Sequence, residues 1–149
     1  MTMSIFITPR LCKDCGTCES VCDKHAVDVF TFEDDTSSIS VPIMCMHCEE
    51  AACIDVCPVK AIYRDANATI LVDKTKCIGC KLCSNACAFG NIAYNHTLKK
   101  ILKCDLCDGS PDCVKYCPTG AIVFESATEA NMNKKRVIAE KFKGLMELV

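Results

Sequence analysis

Apolar and β-branched residues fall in short runs along most of this chain. Residues 27–32, 39–43, 61–64, 69–72, 92–94 and 121–124 read as strands, and the polar stretches 33–38 and 65–68 between them read as hairpin turns. After Phe124 the period changes. Ser126, Ala127, Thr128 and Glu129 have the form of a capping box. Val137, Ile138, Lys141, Phe142, Leu145, Met146 and Val149 then recur at helical spacing, with Lys134, Lys135, Arg136 and Lys143 off that stripe. This predicts an amphipathic C-terminal helix whose apolar stripe must be covered. Its own core, another subunit and a second copy of the chain are all open to it.

What separates the strands is cysteine. The 149 residues include 16 Cys, in blocks Cys12, Cys15, Cys18, Cys22; Cys45, Cys48, Cys53, Cys57; Cys77, Cys80, Cys83, Cys87; and Cys104, Cys107, Cys113, Cys117. The first and third blocks read C-x2-C-x2-C-x3-C, the spacing with which bacterial-type ferredoxins hold [4Fe–4S] clusters. The second and fourth lengthen the middle gap to x4 and x5, and each ends in Cys-Pro, at Pro58 and Pro118. In every block the x3 gap sets the last two cysteines about one helical turn apart. The last thiol thus faces a neighbouring site, as in two-cluster ferredoxins. The fourth cysteines recur at intervals of 35, 30 and 30 residues, each followed by a similar tail: His25-Ala26-Val27, Lys60-Ala61-Ile62, Gly90-Asn91-Ile92 and Gly120-Ala121-Ile122. Such a period signals internal duplication.

Disulfides and structural zinc are the competing uses of these thiols. Residues 1–11 leave no room for a secretory signal and Arg10 is a lone arginine, so a cytoplasmic, reducing environment is expected. Zinc modules usually pair two C-x2-C knuckles across a longer spacer, whereas these blocks crowd their thiols together. Iron–sulfur chemistry therefore accounts best for all sixteen cysteines, and four per cluster gives four [4Fe–4S] clusters. His47, between Cys45 and Cys48, is expected to be packed or hydrogen-bonded rather than a ligand. His25 and His96 are expected at the surface or at strand ends, and Met44 and Met46 as polarizable filler around a cluster. Gly16 and Gly79 are expected to let backbone N–H groups approach cluster sulfur, one of the influences on a potential that ranges over roughly −700 to +450 mV.

Composition supports a cofactor-built core. The hydrophobic fraction of 50% counts the cysteines, and there are only 6 Phe, 3 Tyr and no Trp. Folding and cluster loading are therefore expected to be coupled. The formal charge is −2. Four clusters with their thiolates add about −8, which brings the loaded chain near −10 and argues against a nucleic-acid or acidic-lipid partner. No apolar run approaches a membrane span. The radical-generating C-x3-C-x2-C arrangement and a dinucleotide glycine pattern are both missing, and four cysteines per cluster leave no iron open to substrate, so no enzyme activity is expected.

Cys45-Met46-His47-Cys48, Lys103-Cys104-Asp105-Leu106-Cys107-Asp108 and Cys117-Pro118-Thr119-Gly120-Ala121-Ile122 carry a specific resemblance. Over residues 3–125 the chain resembles the four-cluster iron–sulfur subunits of the dimethyl sulfoxide reductase and formate dehydrogenase class. The resemblance implies an α+β, duplicated bacterial ferredoxin-like fold, with short β-hairpins and short helices around four clusters, plus a C-terminal helix. Residues 1–125 would form the four-cluster domain and 126–149 a docking or packing helix. It also implies nested ligation: Cys12, Cys15, Cys18 with Cys117; Cys22 with Cys104, Cys107, Cys113; Cys45, Cys48, Cys53 with Cys87; and Cys57 with Cys77, Cys80, Cys83. Spacing alone would equally allow consecutive blocks to pair. Ala88 stands where many relatives have proline.

The implied function is relay of single electrons to or from a large catalytic oxidoreductase subunit. The tail and the chain length resemble, more narrowly, the small electron-transfer subunits that accompany tungsten-containing aldehyde oxidoreductases, which would make that partner a tungsten protein. Further copies of this chain could extend the wire. A free-standing polyferredoxin, an iron–sulfur redox sensor and a zinc-organised interaction module are the alternatives.

Overall fold

A computed structural model describes residues 3–146, with side chains to residue 140. Among the described residues eight strands form four separate two-stranded antiparallel sheets. Strands β2 (Val27–Glu33) and β3 (Ser38–Met44) form the longest hairpin, in register from Val27↔Met44 to Glu33↔Ser38. The Asp34 carboxylate accepts from the amides of Thr36 and Ser37 at 2.9 and 2.7 Å, which closes the turn. Strands β4 (Ile62–Arg64) and β5 (Ile70–Val72) follow, with Asp65 taking the amides of Asn67 and Thr69 at 2.9 and 2.8 Å. Both turns fall where the polar stretches predict them.

Two further pairings are not local in sequence or are too short to stand out. Strands β6 (Ala93–Asn95) and β7 (Lys100–Leu102) make a third hairpin. Strand β1 (Met3–Ile7) pairs with β8 (Ile122–Ser126), setting Ile5 opposite Phe124 and joining the two ends of the cysteine-bearing region.

Each cysteine block carries one short helix: α1 (Thr17–Val21), α2 (Ala52–Asp55), α3 (Leu82–Ala86) and α4 (Asp112–Lys115). α1 packs on α4 and α2 on α3. The buried side chains divide the same way. Ile5, Cys18, Val27, Met44, Leu106, Cys113 and Ile122 make one core, which serves the first and fourth blocks. Ala51, Ala61, Ile62, Ile70, Cys77, Cys83, Ile92 and Ile101 make the other, which serves the second and third. Chain order is thus outer, inner, inner, outer.

The final helix, α5 (Ala127–Met146), starts as the capping box predicts. The Ser126 amide donates to the Glu129 carboxylate at 3.1 Å, and the Glu129 amide donates back to Ser126 Oγ at 3.3 Å. Its first turn buries Ala130 and packs on β1 and β8. Its second turn still touches this sheet through Asn133 on Glu125 and Lys134 over Phe6, and past it Val137 and Ile138 are more than half exposed. These two residues of the stripe therefore do not fold back on the protein's own core. The side chains of Lys141, Phe142, Leu145 and Met146, and all of Val149, lie outside the described residues. No helix among the described residues is long and apolar enough to cross a membrane.

Candidate metal centres

The helices and hairpins gather cysteines from different blocks around common hollows. Cys12, Cys15 and Cys18 share one with Cys117, floored by Val29, Pro42 and Ile122. Cys45, Cys48 and Cys53 share a second with Cys87, against Ile70 and Lys103. Cys77, Cys80 and Cys83 share a third with Cys57, against Ile62 and Ile101. In the outer core Cys22 and Cys104 pack on the buried cluster that holds Cys113 and Cys18, and burial first, then the nearby Cys22, Cys107 and Cys18, raise the Cys113 thiol to about 11. Each set takes three cysteines from one block and the fourth from another, with blocks one and four together and blocks two and three together.

The hollows fit an iron–sulfur group by the chemistry of their donors. Among the described residues no three His, Cys, Asp or Glu side chains are close enough to hold a single metal ion. The donors facing the hollows are thiols, and their apolar floors would shield a cluster from water. Two wider clefts, of about 590 and 640 Å³, lie elsewhere, along Met3, Asn67, Thr69 and Leu106, and hold no thiol quartet.

The recurring tails have a structural role that the sequence displays without explaining. Residues three after each fourth cysteine, His25, Lys60, Gly90 and Gly120, have positive φ of 46, 49, 68 and 67°. That bend turns the next amide back on the sulfur. Ala26 N donates to Cys22 Sγ at 3.3 Å, Ala61 N to Cys57 Sγ at 3.2 Å, and Asn91 N to Cys87 Sγ at 3.4 Å. For Cys57 and Cys117 burial pulls the thiol upward, but these tail amides outweigh it and leave both below the ordinary value. Asn91 keeps this bond although Ala88, and not a proline as after Cys57 and Cys117, follows Cys87.

Elsewhere burial dominates. It pushes Cys104 up to about 12 and Cys83 up to about 11. Such thiols surrender protons when metal binds, so loading is proton-coupled. Cys15 and Cys80 are the exposed members of the sixteen. A hydrogen bond from Thr17 holds Cys15 below its usual value.

His47 accepts from the Ile70 amide at 2.9 Å through Nδ1. Burial, then the charges of Lys103 and Arg64, drives it down to about 3, so it is neutral. It is a hydrogen-bonded residue, as expected. His25 and His96 are exposed. Met44 is buried at 1% exposure, and Met46, though 42% exposed, lines the hollow of Cys45, Cys48, Cys53 and Cys87. Gly79 has a second reason to lack a side chain. A Cβ there would run into the Lys99 carbonyl, so its missing side chain admits the β6–β7 turn.

Two residues around these loops carry no motif of their own. Arg64 donates to the carbonyls of Cys48, Glu49 and Ala68 at 2.6, 2.7 and 3.0 Å, fixing the loop that bears Cys48. Lys103 is buried at 6% exposure beside Cys45. A charged residue at the start of a block is visible in sequence, but its burial is not.

Residues 36–127 match the family described as the 4Fe–4S dicluster domain. The chain is 37% identical over 130 residues to a subunit of the sulfite dehydrogenase of Allochromatium vinosum, covering 76% of this chain and 54% of that one. It is 40% identical over 101 residues to the electron transfer subunit of the thiosulfate reductase of Salmonella typhi, covering 63% of this chain and 53% of that one. It is 31% identical over 145 residues to one chain of the anaerobic dimethyl sulfoxide reductase of Escherichia coli strain K12, covering 80% of this chain and 71% of that one. Of the sulfite and thiosulfate relatives, and of several others, the chain spans between 31% and 60% of the length.

Proposed function

We propose, for a chain that belongs to the 4Fe–4S dicluster domain family, that its sixteen cysteines hold four [4Fe–4S] clusters and that it passes single electrons between a catalytic oxidoreductase subunit and a second redox partner. Each cluster supplies one reversible one-electron couple when bound. The observation that carries the reading is the convergence of thiols from blocks one with four and two with three on common hollows. On this reading Cys12, Cys15, Cys18 and Cys117 hold one cluster, and Cys22, Cys104, Cys107 and Cys113 its neighbour. Cys45, Cys48, Cys53 and Cys87 hold the third, and Cys57, Cys77, Cys80 and Cys83 the fourth. The two cores then correspond to two ferredoxin-like units, the inner inserted in the outer, within residues 1–125.

The partner we assign is a large catalytic subunit, because thiol quartets leave no open iron for substrate chemistry, and the relatives named above are subunits or chains of oxidoreductases. The exposed Val137 and Ile138 on a helix leaving the core support residues 126–149 as the docking element. The finer assignment, a tungsten-containing aldehyde oxidoreductase, rests on the resemblance of the tail. Anaerobic affinity purification from the native host, with subunit identification and metal analysis, tests it. A large tungsten subunit would uphold the finer assignment. Molybdenum or nickel would redirect it to another oxidoreductase, and a chain that copurifies with no catalytic subunit would overturn the relay reading in favour of a free carrier.

A further inference from the structure

Lys103 follows β7 directly and stands at the seam between the two cores. A lysine ammonium has three N–H donors and no acceptor, and here all three are used. Nζ donates to the Ile70 carbonyl at 2.8 Å, the Cys104 carbonyl at 3.1 Å and Cys45 Sγ at 3.0 Å. The side chain is 6% exposed. Among the described residues no carboxylate lies within ion-pair distance of it. A buried charge without a counter-charge is strongly unfavourable. Its neutral acceptors do not supply one. The remaining acceptor, Cys45 Sγ, faces the hollow it shares with Cys48, Cys53, Cys87 and Lys103 itself.

We infer that Lys103 is a positioning residue that acts as a fixed counter-charge for the cluster held by Cys45, Cys48, Cys53 and Cys87, raising its reduction potential and making it the electron sink at the seam. The inference rests on the ligand grouping proposed above. Four thiolates and an oxidised cluster carry a net negative charge, and one added electron makes it more negative, with no bond broken and no proton moved. A cation fixed at 3.0 Å from one ligand sulfur favours the reduced form over the oxidised one. Its bond to the Cys104 carbonyl places the same charge beside the first ligand of the adjoining quartet, so the bias acts where an electron crosses between the cores.

The test is an electron paramagnetic resonance titration of the full-length, cluster-loaded protein against dithionite, with iron counted on the same samples. Lys103→Met and Lys103→Gln should lower one midpoint so that its oxidised-to-reduced equilibrium constant shifts at least tenfold, which is 59 mV for a one-electron couple. Lys103→Arg should restore it. Fewer irons in both neutral variants but full loading in Lys103→Arg would also uphold a required charge. Unmoved midpoints in fully loaded Lys103→Met would overturn the inference. So would wild-type midpoints in Lys103→Gln, which would assign the effect to a hydrogen bond, and so would iron loss in all three variants, which would mark a packing role. A wild-type chain without four-iron signals would instead remove the ligand grouping itself.

Discussion

Replacing Gly79 with alanine puts a methyl group where the Lys99 carbonyl lies and asks an L-residue to hold a φ of +70°. The left-handed backbone costs such a residue about 1–2 kcal/mol. Forcing atoms into occupied space costs a further 1–3 kcal/mol or so, for a total of about 2–5 kcal/mol. Gly16 is an internal control, because its φ is +68° but its added Cβ would meet only Glu19 Oε2, at 3.9 Å. Only the backbone cost applies there, about 1–2 kcal/mol. At roughly 2–4 °C per kcal/mol for a chain of this size, Gly16→Ala should lower the unfolding temperature by about 2–8 °C and Gly79→Ala by about 4–20 °C. The strain falls on the loop between Cys77 and Cys80, so iron should leave that quartet first. Anaerobic calorimetry and chelator-driven iron release on the two variants, side by side, measure both effects. A Gly79→Ala protein as stable as Gly16→Ala, releasing iron no faster, would refute the close approach as the reason for glycine.

Arg64→Ala removes two hydrogen bonds to carbonyls at Cys48 and Glu49 and a third to Ala68 and should destabilise the protein by at least about 1.5 kcal/mol, seen as faster iron loss to a chelator; unchanged kinetics would show that the loop holds itself. Ser126→Ala breaks the reciprocal cap of α5 and should cost about 1 kcal/mol, read as lost helical circular dichroism with full iron content, whereas iron loss would tie the helix to the core. Deleting residues 134–149 should leave iron unchanged while abolishing copurification of the catalytic subunit, because Val137 and Ile138 contribute nothing to the core; retained copurification would place docking elsewhere. Stripping the clusters should remove cooperative thermal unfolding altogether, since the thiol quartets would then close on nothing at the centre of each core, and a sharp transition in the stripped chain would show an independent fold.

The parts legible in sequence were those with a local signal. The cysteine blocks, the Asp34 and Asp65 turns and the Ser126–Glu129 cap each announce themselves within a few residues. β1 does not, because its partner β8 lies at the other end of the cysteine-bearing region and no turn joins them. β7 is three residues long. The tails after the fourth cysteines were visible as a repeat, but their function depends on a positive φ and an amide direction that composition does not encode at His25 or Lys60. Lys103 and Met46 show the same gap in opposite senses. Nothing in the sequence marks Lys103 as buried at 6% exposure or Met46 as 42% exposed.

Four one-electron centres in one chain are what the relay requires, and quantitative electron paramagnetic resonance of the anaerobically purified, dithionite-reduced protein counts them most directly. The expected result is spin intensity for four reduced [4Fe–4S] clusters per chain, recovered fully through a cycle of oxidation and reduction. A chain with no such signal, or one whose signal is lost irreversibly on the first cycle, would contradict it.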